Sequence, residues 1–154
     1  MAGWLVKTEP SEWSIDDFAR EPDTPAPWDG VRNYQARNYL REMRPGDRVL
    51  VYHSSCRHIG VAGIVRVVSA PYPDPAQFDP DSPYYDGRST RDNPRWVAVD
   101  MCFERRFTDI IALARLKATS GLEDLPLVKK GSRLSVMPVT TAQWQRILAL
   151  EPGT

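Results

Sequence analysis

The sequence has few of the residues on which several classes of protein depend. Its 154 residues include only two cysteines, Cys56 and Cys102, which are too few for a disulfide framework and indicate a reducing compartment. No apolar run approaches the roughly 18 residues of a membrane span. The first residues also lack the basic and apolar regions of a signal peptide. We therefore expect a cytoplasmic protein that has no contact with membranes.

Net charge is absent as well, because 20 basic and 20 acidic residues cancel. The charges are nevertheless segregated along the chain. Residues 31–48 hold five arginines against two acidic residues, and residues 129–146 hold four basic residues and no acidic one. Basic segments in a neutral chain favour modest, salt-dependent binding of phosphate groups.

Length and composition predict one globular domain over residues 1–154. The chain is 42% hydrophobic and 26% charged, which is ordinary for a folded domain. Its 14 prolines exclude a helical bundle, because proline inside a helix costs about 3 kcal/mol. The hydrophobic patterns indicate five or six strands and three helices without regular βαβ alternation. They predict an α+β fold with a small, curved, mainly antiparallel sheet or an open barrel.

The element boundaries follow from hydrophobic periodicity and capping residues. Ser14, Asn33 and Thr140 are the predicted N-caps of the three helices. Gly60 and Gly63 indicate a bulge or a close backbone approach. Segments 21–30 and 70–95 are predicted loops, and 109–117 fits either a helix or a strand. The predicted strands cover residues 3–8, 48–54, 59–69, 96–107 and 133–139, and the predicted helices cover 14–20, 34–43 and a segment after residue 140.

Signatures of common enzymes are missing. There is no phosphate-binding glycine loop, no dinucleotide fingerprint and no nucleophile elbow. The spacing of His53, Cys56, His58 and Cys102 does not match the paired ligands of a structural zinc site. A Cys56 nucleophile with a histidine base is no better supported by its context. We therefore expect neither a metal nor a cofactor.

The segment from Trp28 to Asn33 is more informative. It places a tryptophan in a proline-rich loop that leads directly into a helix start carrying Arg32 and Asn33. An aromatic face beside the free amide groups of a helix N-terminus suits a flat heterocycle. Equally, Trp28 could anchor the loop on the core, and the segment alone leaves both interpretations open.

Polar residues end two of the predicted strands, and a serine lies within a third. Lys7 and Thr8 end the first strand, His53 and Ser54 end the second, and Ser135 is the hydroxyl residue within the last. Such residues could surround a binding site. The alternatives are ordinary strand ends, a histidine that satisfies a buried hydrogen bond, which is the commoner case, and a serine that bonds to its own strand or a turn.

Five motifs in order resemble the EVE domain family. The resemblance runs from Trp4 to about Leu148 and implies a PUA-like fold related to the YTH and ASCH domains. It also implies binding of nucleic acid with a modified base, of the 5-methylcytosine type in DNA or a modified base in RNA. The motifs are WLVKTEP at 4–10, WDGVRNYQARN at 28–38, GD at 46–47 with YHS at 52–54, APYPD at 70–74, and RLSVMPV at 133–139.

The resemblance implies a site in which Trp28 is one wall of an aromatic pocket. The residues expected to contact the base and its surroundings are Trp28, Lys7, Thr8, Arg32, Asn33, Tyr34, His53, Ser54, Arg133 and Ser135. Phosphate contacts are expected from the arginine stripe of the second helix and from a later basic segment, namely Arg37, Arg41, Arg44, Lys129 and Lys130. A reader of this kind is expected to be a monomer that acts through a separate effector protein.

Two other functions remain open from the sequence. The chain could be an enzyme or an enzyme subunit acting on modified nucleobases or RNA, with residues 70–95 as a lid and His53 as the base. It could also bind a small regulatory ligand in the same pocket.

Overall fold

A curved, mixed sheet of seven strands organises the chain. The computed structural model describes residues 3–151. The strands are β1 (Gly3–Thr8), β2 (Ala26–Trp28), β3 (Arg48–His53), β4 (Gly60–Val67), β5 (Tyr72–Pro73), β6 (Val97–Ala112) and β7 (Val136–Val139). The helices are α1 (Ile15–Arg20), α2 (Tyr34–Glu42), α3 (Leu113–Lys117) and α4 (Thr141–Ala149), with short 3-10 helices at Pro75–Phe78 and Pro126–Val128. None of the helices in this part of the chain is long and apolar enough to cross a membrane.

The strand order is β2-β6-β4-β3-β1-β7, with β5 paired to β6. β1 and β3 run parallel, and the other pairs are antiparallel. The predicted α+β class with a mainly antiparallel sheet is therefore confirmed. Because β1 and β3 are parallel neighbours, Thr8 lies opposite His53. The carboxyl ends of the two strands therefore lie side by side at the same end of the sheet.

The predicted close approach at the two glycines of β4 is confirmed. A Cβ atom on Gly60 would lie 2.1 Å from the carbonyl oxygen of Ile111, and one on Gly63 would lie 2.4 Å from that of Arg105. The pairing of β4 with β6 also shifts register between Val61 and Gly63. Such a bulge increases the local twist and lets a sheet curve.

The central strands are buried on both faces. Trp4 and Val6 of β1 pack with α1 and α2 in one core, whereas Leu5 packs with residues of α3 and α4 in the other. β3 and β4 divide their side chains between the two cores in the same way. This explains why these strands read as continuous apolar runs.

Local capping chemistry explains the helix boundaries. The side chains of Ser14, Asn33 and Thr140 each accept a backbone N–H of the following helix, as the sequence predicts. α2 ends at Glu42, because Met43 is extended and Arg44 precedes a proline, which disfavours helical backbone. Arg44 therefore lies in a turn and does not share a helix stripe with Arg37 and Arg41, contrary to the sequence interpretation.

Two predicted loops contain regular structure. Ala26–Trp28 forms β2, which pairs with Val99–Met101 of β6 at the edge of the sheet, where a proline is tolerated. The 70–95 segment contains β5 and a 3-10 helix. The ambiguous 109–117 segment is divided, since β6 continues to Ala112 and α3 follows. The last predicted strand is shorter than expected and begins at Val136.

Candidate nucleic-acid interface

A cavity of about 880 Å³ opens beside the carboxyl ends of β1 and β3. Its size lies within the range of sites that bind small molecules, about 300–1,000 Å³. The ends of β1 and β3, the turn before α1, and β2 with the segment that leads to α2 form its walls. The 70–95 segment, referred to below as the long loop, forms the remaining wall. The lining residues are Lys7, Thr8, Glu9, Glu12, Trp13, residues 26–33, Ser54, Pro83, Tyr84 and Ser135.

Trp28 belongs to both the core and the cavity wall. Its side chain is only 8% exposed and lies parallel to the ring of Phe18, with ring centres 6.2 Å apart and an interplanar angle of 3°. It also lines the cavity. The structure therefore confirms that Trp28 packs on the core, and contact of its ring with a base stays a prediction.

Asp74 ties two walls of the cavity together. Its carboxylate is fully buried and accepts hydrogen bonds from the backbone N–H groups of Gly30 and Ala76, both at 2.8 Å. It also accepts one from the guanidinium of Arg32 at 3.0 Å. Arg32 in turn donates to the carbonyl oxygen of Tyr84 at 2.9 and 2.8 Å. The predicted base-binding Arg32 thus holds the long loop against the segment before α2.

Tyr84 covers the backbone at Gly30. Gly30 has a φ of +74°, and a Cβ atom there would lie 2.9 Å from the Tyr84 ring. The glycine is therefore required twice, by its left-handed backbone and by the ring that covers it. Burial and the neighbouring carboxylate of Glu12 raise the pKa of Tyr84, although Arg32 acts in the opposite direction.

Some charged side chains of the cavity wall form no ion pair within residues 3–151. They are one cation, Lys7, and several carboxylates. Lys7 is half-buried in the cavity wall, and burial lowers the pKa of its ammonium. Glu9, Glu12 and Asp29 line the same space. Burial and then Asp74 raise the pKa of Asp29. The site therefore offers a strong donor and several strong acceptors to a ligand.

Hydroxyl and amide groups of the predicted set lie between these charges. Thr8 donates its hydroxyl to the carbonyl of Trp13 at 2.8 Å, and Ser54 donates to the carbonyl of Thr8 at 3.3 Å. Both hydroxyl oxygens remain able to accept. The Asn33 side-chain oxygen caps α2 by accepting from Ala36 at 2.9 Å, which leaves its amide NH₂ as a donor. The structure thus brings Trp28, Lys7, Thr8, Arg32, Asn33, Ser54 and Ser135 together around one cavity.

Three predicted base-contacting residues lie outside this cavity. His53 is buried, and its Nε2 accepts the backbone N–H of Ile15 at 3.2 Å, which fits the structural alternative for this histidine. Burial lowers the pKa of His53, against the effect of nearby Asp16 and Asp17. Tyr34 is exposed at the start of α2, and Arg133 is exposed before β7.

The predicted phosphate-contacting residues do not form one stripe. Arg37 is half-buried and donates to the carbonyl of Arg95 at 3.1 Å. Burial, with the like charge of Arg41 nearby, lowers the pKa of Arg37. The other four side chains are exposed, on α2, in the turn after it and after the second 3-10 helix, namely Arg41, Arg44, Lys129 and Lys130.

Several lining residues were not identified from the sequence. Trp13, Pro83 and Tyr84 add apolar surface, and Glu12 and Asp29 add charge. Asp29 stands inside the most specific motif, so its position was a usable signal. Tyr84 gave none, since its place depends on a contact with Arg32, 52 positions away.

Metal-binding geometry is not found in residues 3–151. No three histidine, cysteine, aspartate or glutamate side chains are grouped there in a way that could hold an ion. Cys56 and Cys102 are both free thiols.

Comparison with known sequences extends the motif resemblance to the whole domain. The EVE domain model matches residues 2–150. Human thymocyte nuclear protein 1 is 41% identical over 165 aligned positions, which cover 96% of this chain and 73% of the human protein. The mouse protein of the same name gives the same identity and coverage.

Solved structures agree in fold. A Pseudomonas syringae protein is 54% identical with a TM-score of 0.93, covering 97% of this chain and 99% of that one. Human THYN1 in complex with 5-methylcytosine-containing DNA is 39% identical with a TM-score of 0.91, covering 100% and 99%. A Zymomonas mobilis ASCH protein, 10% identical with a TM-score of 0.55 over 98% and 99%, shares the fold alone. The chain therefore belongs to the EVE domain family.

Proposed function

We propose that this chain is a nucleic-acid-binding module that holds a modified cytosine in the cavity beside β1 and β3 and leaves it chemically unchanged. The observation that carries the proposal is the structural match, at a TM-score of 0.91, to human THYN1 bound to DNA that contains 5-methylcytosine. The cavity supports it, because seven of the residues expected around a base line one space of suitable size.

Energetics require both stacking and polar contacts. A base must leave its stack to be surrounded, which costs a few kcal/mol. Stacking on one aromatic side chain returns about 1–3 kcal/mol per base. Trp28, Trp13 and Tyr84 supply aromatic surface in the cavity. Stacking on one wall therefore roughly offsets the cost of flipping, and net affinity must come from the base edge and the phosphates.

The charged side chains of Lys7 and Asp29 complement the hydrogen-bonding groups on the edge of cytosine. Cytosine presents an amino donor at N4, which a carboxylate such as that of Asp29 accepts. Its ring nitrogen and carbonyl oxygen are acceptors, which the ammonium of Lys7 satisfies. Thymine carries an acceptor in place of the amino group, so the same site would disfavour it. The methyl group of 5-methylcytosine would pack on the apolar wall.

Phosphate contacts complete the proposal. The exposed cations among the residues predicted to bind are Arg41, Arg44, Lys129, Lys130 and Arg133. With few charges involved, we expect modest affinity that falls as salt rises. We also propose that the chain acts as a monomer and that a separate effector protein follows recognition.

A binding panel tests the function directly. Fluorescence anisotropy would compare single- and double-stranded oligonucleotides that differ only in cytosine, 5-methylcytosine or thymine at one position, at two salt concentrations. We expect 5-methylcytosine to bind most tightly and the oligonucleotide mass to be unchanged after incubation. Equal affinity for all three bases would refute the proposal, and a changed mass would favour an enzyme.

A matched pair of variants tests the role of Lys7. Lys7→Met should weaken binding about 10- to 150-fold, because a hydrogen bond to a charged group contributes about 1.5–3 kcal/mol. Lys117→Met removes an exposed lysine at the end of α3, a helix that packs in the core that contains Leu5. Because Lys117 does not line the cavity, this variant should bind like the wild type. If both variants bind alike, Lys7 does not contact the ligand.

A further inference from the structure

A cluster of aromatic and arginine side chains lies beside the cavity and outside its walls. It consists of Tyr34, Arg37, Arg95 and Trp96, and we refer to it as the flanking cluster. We propose that the flanking cluster is a second subsite, which stacks the base of the nucleotide next to the one held in the cavity and contacts its phosphate. The inference rests on the proposed function and deepens it.

Tyr34 combines a stacked ring with high solvent exposure. Its ring is stacked on that of Trp96, with centres 4.8 Å apart and an interplanar angle of 22°. The Arg37 guanidinium lies 4.7 Å from the centre of the Tyr34 ring and 5.9 Å from that of Trp96. Tyr34 is nevertheless 49% exposed, so about half of its surface remains accessible to a stacking partner.

The supporting ring is held rigidly. Trp96 is buried, and its indole N–H donates to the carboxylate of Asp86 at 2.8 Å. The buried amide of Gln77 accepts the Trp96 backbone N–H at 3.0 Å and donates to its carbonyl at 2.8 Å. A platform fixed in this way loses little conformational entropy when a base stacks on it.

Positive charge lies beside the Tyr34 ring, although the Asp86 carboxylate interacts electrostatically with Arg95. Arg95 donates to the Tyr34 hydroxyl at 3.3 Å, and Arg37 donates to Asn38 and to a backbone carbonyl. Neither arginine forms an ion pair with a carboxylate in residues 3–151. Aromatic faces beside free cations are the combination with which proteins bind single-stranded nucleic acid, because every base has a stacking face and every nucleotide a phosphate.

The flanking cluster is continuous with the cavity. Asn33 lines the cavity, and Tyr34 is the next residue along the chain. The guanidinium of Arg32, in the cavity wall, lies 5.4 Å from the centre of the Trp96 ring. A strand whose base enters the cavity would therefore bring its neighbouring nucleotide to Tyr34. A neighbouring nucleotide of an opened strand, rather than a protein segment, is the partner that fits both the stacking face and the charge.

Abasic oligonucleotides test the subsite. The probes are single-stranded 7-mers with a central 5-methylcytosine, either intact or with an abasic site immediately 5′ or 3′ of it. One of the two abasic probes should bind the wild-type protein about 5- to 150-fold more weakly than the intact probe, as expected for one lost stacking interaction. Tyr34→Ala should show that loss already with the intact probe and no further loss with the abasic one.

The controls separate this proposal from the function on which it rests. Tyr34→Phe keeps the ring and removes only the hydroxyl that accepts from Arg95, so it should still bind the abasic probe more weakly than the intact one. Tyr85→Ala removes a tyrosine of similar exposure, 47%, and should also bind like the wild type. Tyr34→Ala should keep the wild-type preference for 5-methylcytosine over cytosine.

Three results would overturn the subsite. The first is equal affinity of the wild type for all three probes. The second is a Tyr34→Ala protein that loses as much affinity for the abasic probe as the wild type does. The third is a Tyr85→Ala protein that loses as much affinity for the intact probe as Tyr34→Ala does. A wild-type protein with no preference for 5-methylcytosine would instead overturn the proposed function, and the subsite with it.

Discussion

Truncating Trp28 to alanine has two separable effects, because this side chain packs in the core and also lines the cavity. Removing a buried tryptophan costs about 3–5 kcal/mol of unfolding free energy. Part of that loss is the parallel contact with Phe18, since aromatic pairs contribute about 0.5–1.5 kcal/mol beyond the area they bury. In a domain of this size the melting temperature should fall by roughly 6–20 °C. Loss of the aromatic wall should also weaken oligonucleotide binding about 5- to 150-fold.

Phe18→Ala provides the matched control. Phe18 is 2% exposed and stacks on Trp28, but it does not line the cavity. Its truncation should lower stability by a similar amount, about 3–5 kcal/mol. Both variants would be titrated with the 5-methylcytosine oligonucleotide at a temperature where circular dichroism shows them folded. We expect Phe18→Ala to bind like the wild type and Trp28→Ala to bind about 5- to 150-fold more weakly. Equal binding losses in the two variants would refute a direct role for the Trp28 ring.

Two further predictions concern Gly30 in the cavity wall and His53, which accepts a backbone N–H at the start of α1. Gly30→Ala should lose more stability than Gly131→Ala in urea denaturation, because both glycines have a similar positive φ, +74° and +77°, but only Gly30 faces the Tyr84 ring. Equal losses would mean that the ring can move aside. His53 has a pKa lowered by burial, so the unfolded chain binds its proton more readily and stability should fall as the pH drops below about 6.5. His53→Gln should reduce that pH dependence, measured as the urea midpoint at pH 7.5 and 5.5; an unchanged dependence would assign it to other groups.

Local chemistry made most of the fold predictable. The caps at Ser14, Asn33 and Thr140 depend on residues within one helical turn, so the sequence alone indicates where each helix begins. β2 was missed because its stability comes from pairing with β6, more than 70 positions away along the chain, and its proline suggests a loop. Segment 109–117 was ambiguous because its division between β6 and α3 depends on pairing of Ala112 with Gly60.

The candidate site was predictable to the extent that it lies within motifs. Lys7, Trp28 and Asn33 were found because strand ends and a helix start converge there. The wall around Tyr84 was not, because its position depends on the buried carboxylate of Asp74 and on Arg32, which join distant parts of the chain. Arg32 itself was expected at the base, but most of its donors are used by protein groups.

The pairing of β1 with β7 has a consequence for how the protein is made. Gly3 pairs with Val139, and the backbone N–H of Lys7 donates to the carbonyl of Ser135 at 2.9 Å. On the ribosome, β1 emerges before the other described strands, but its pairing with β7 is complete only when residue 139 has been synthesised. Until then one edge of β1 is unpaired, which is a hazard for aggregation. Contacts so distant in sequence also form slowly. The cavity is therefore completed only late in biosynthesis, and chains released before residue 135 would lack part of its wall.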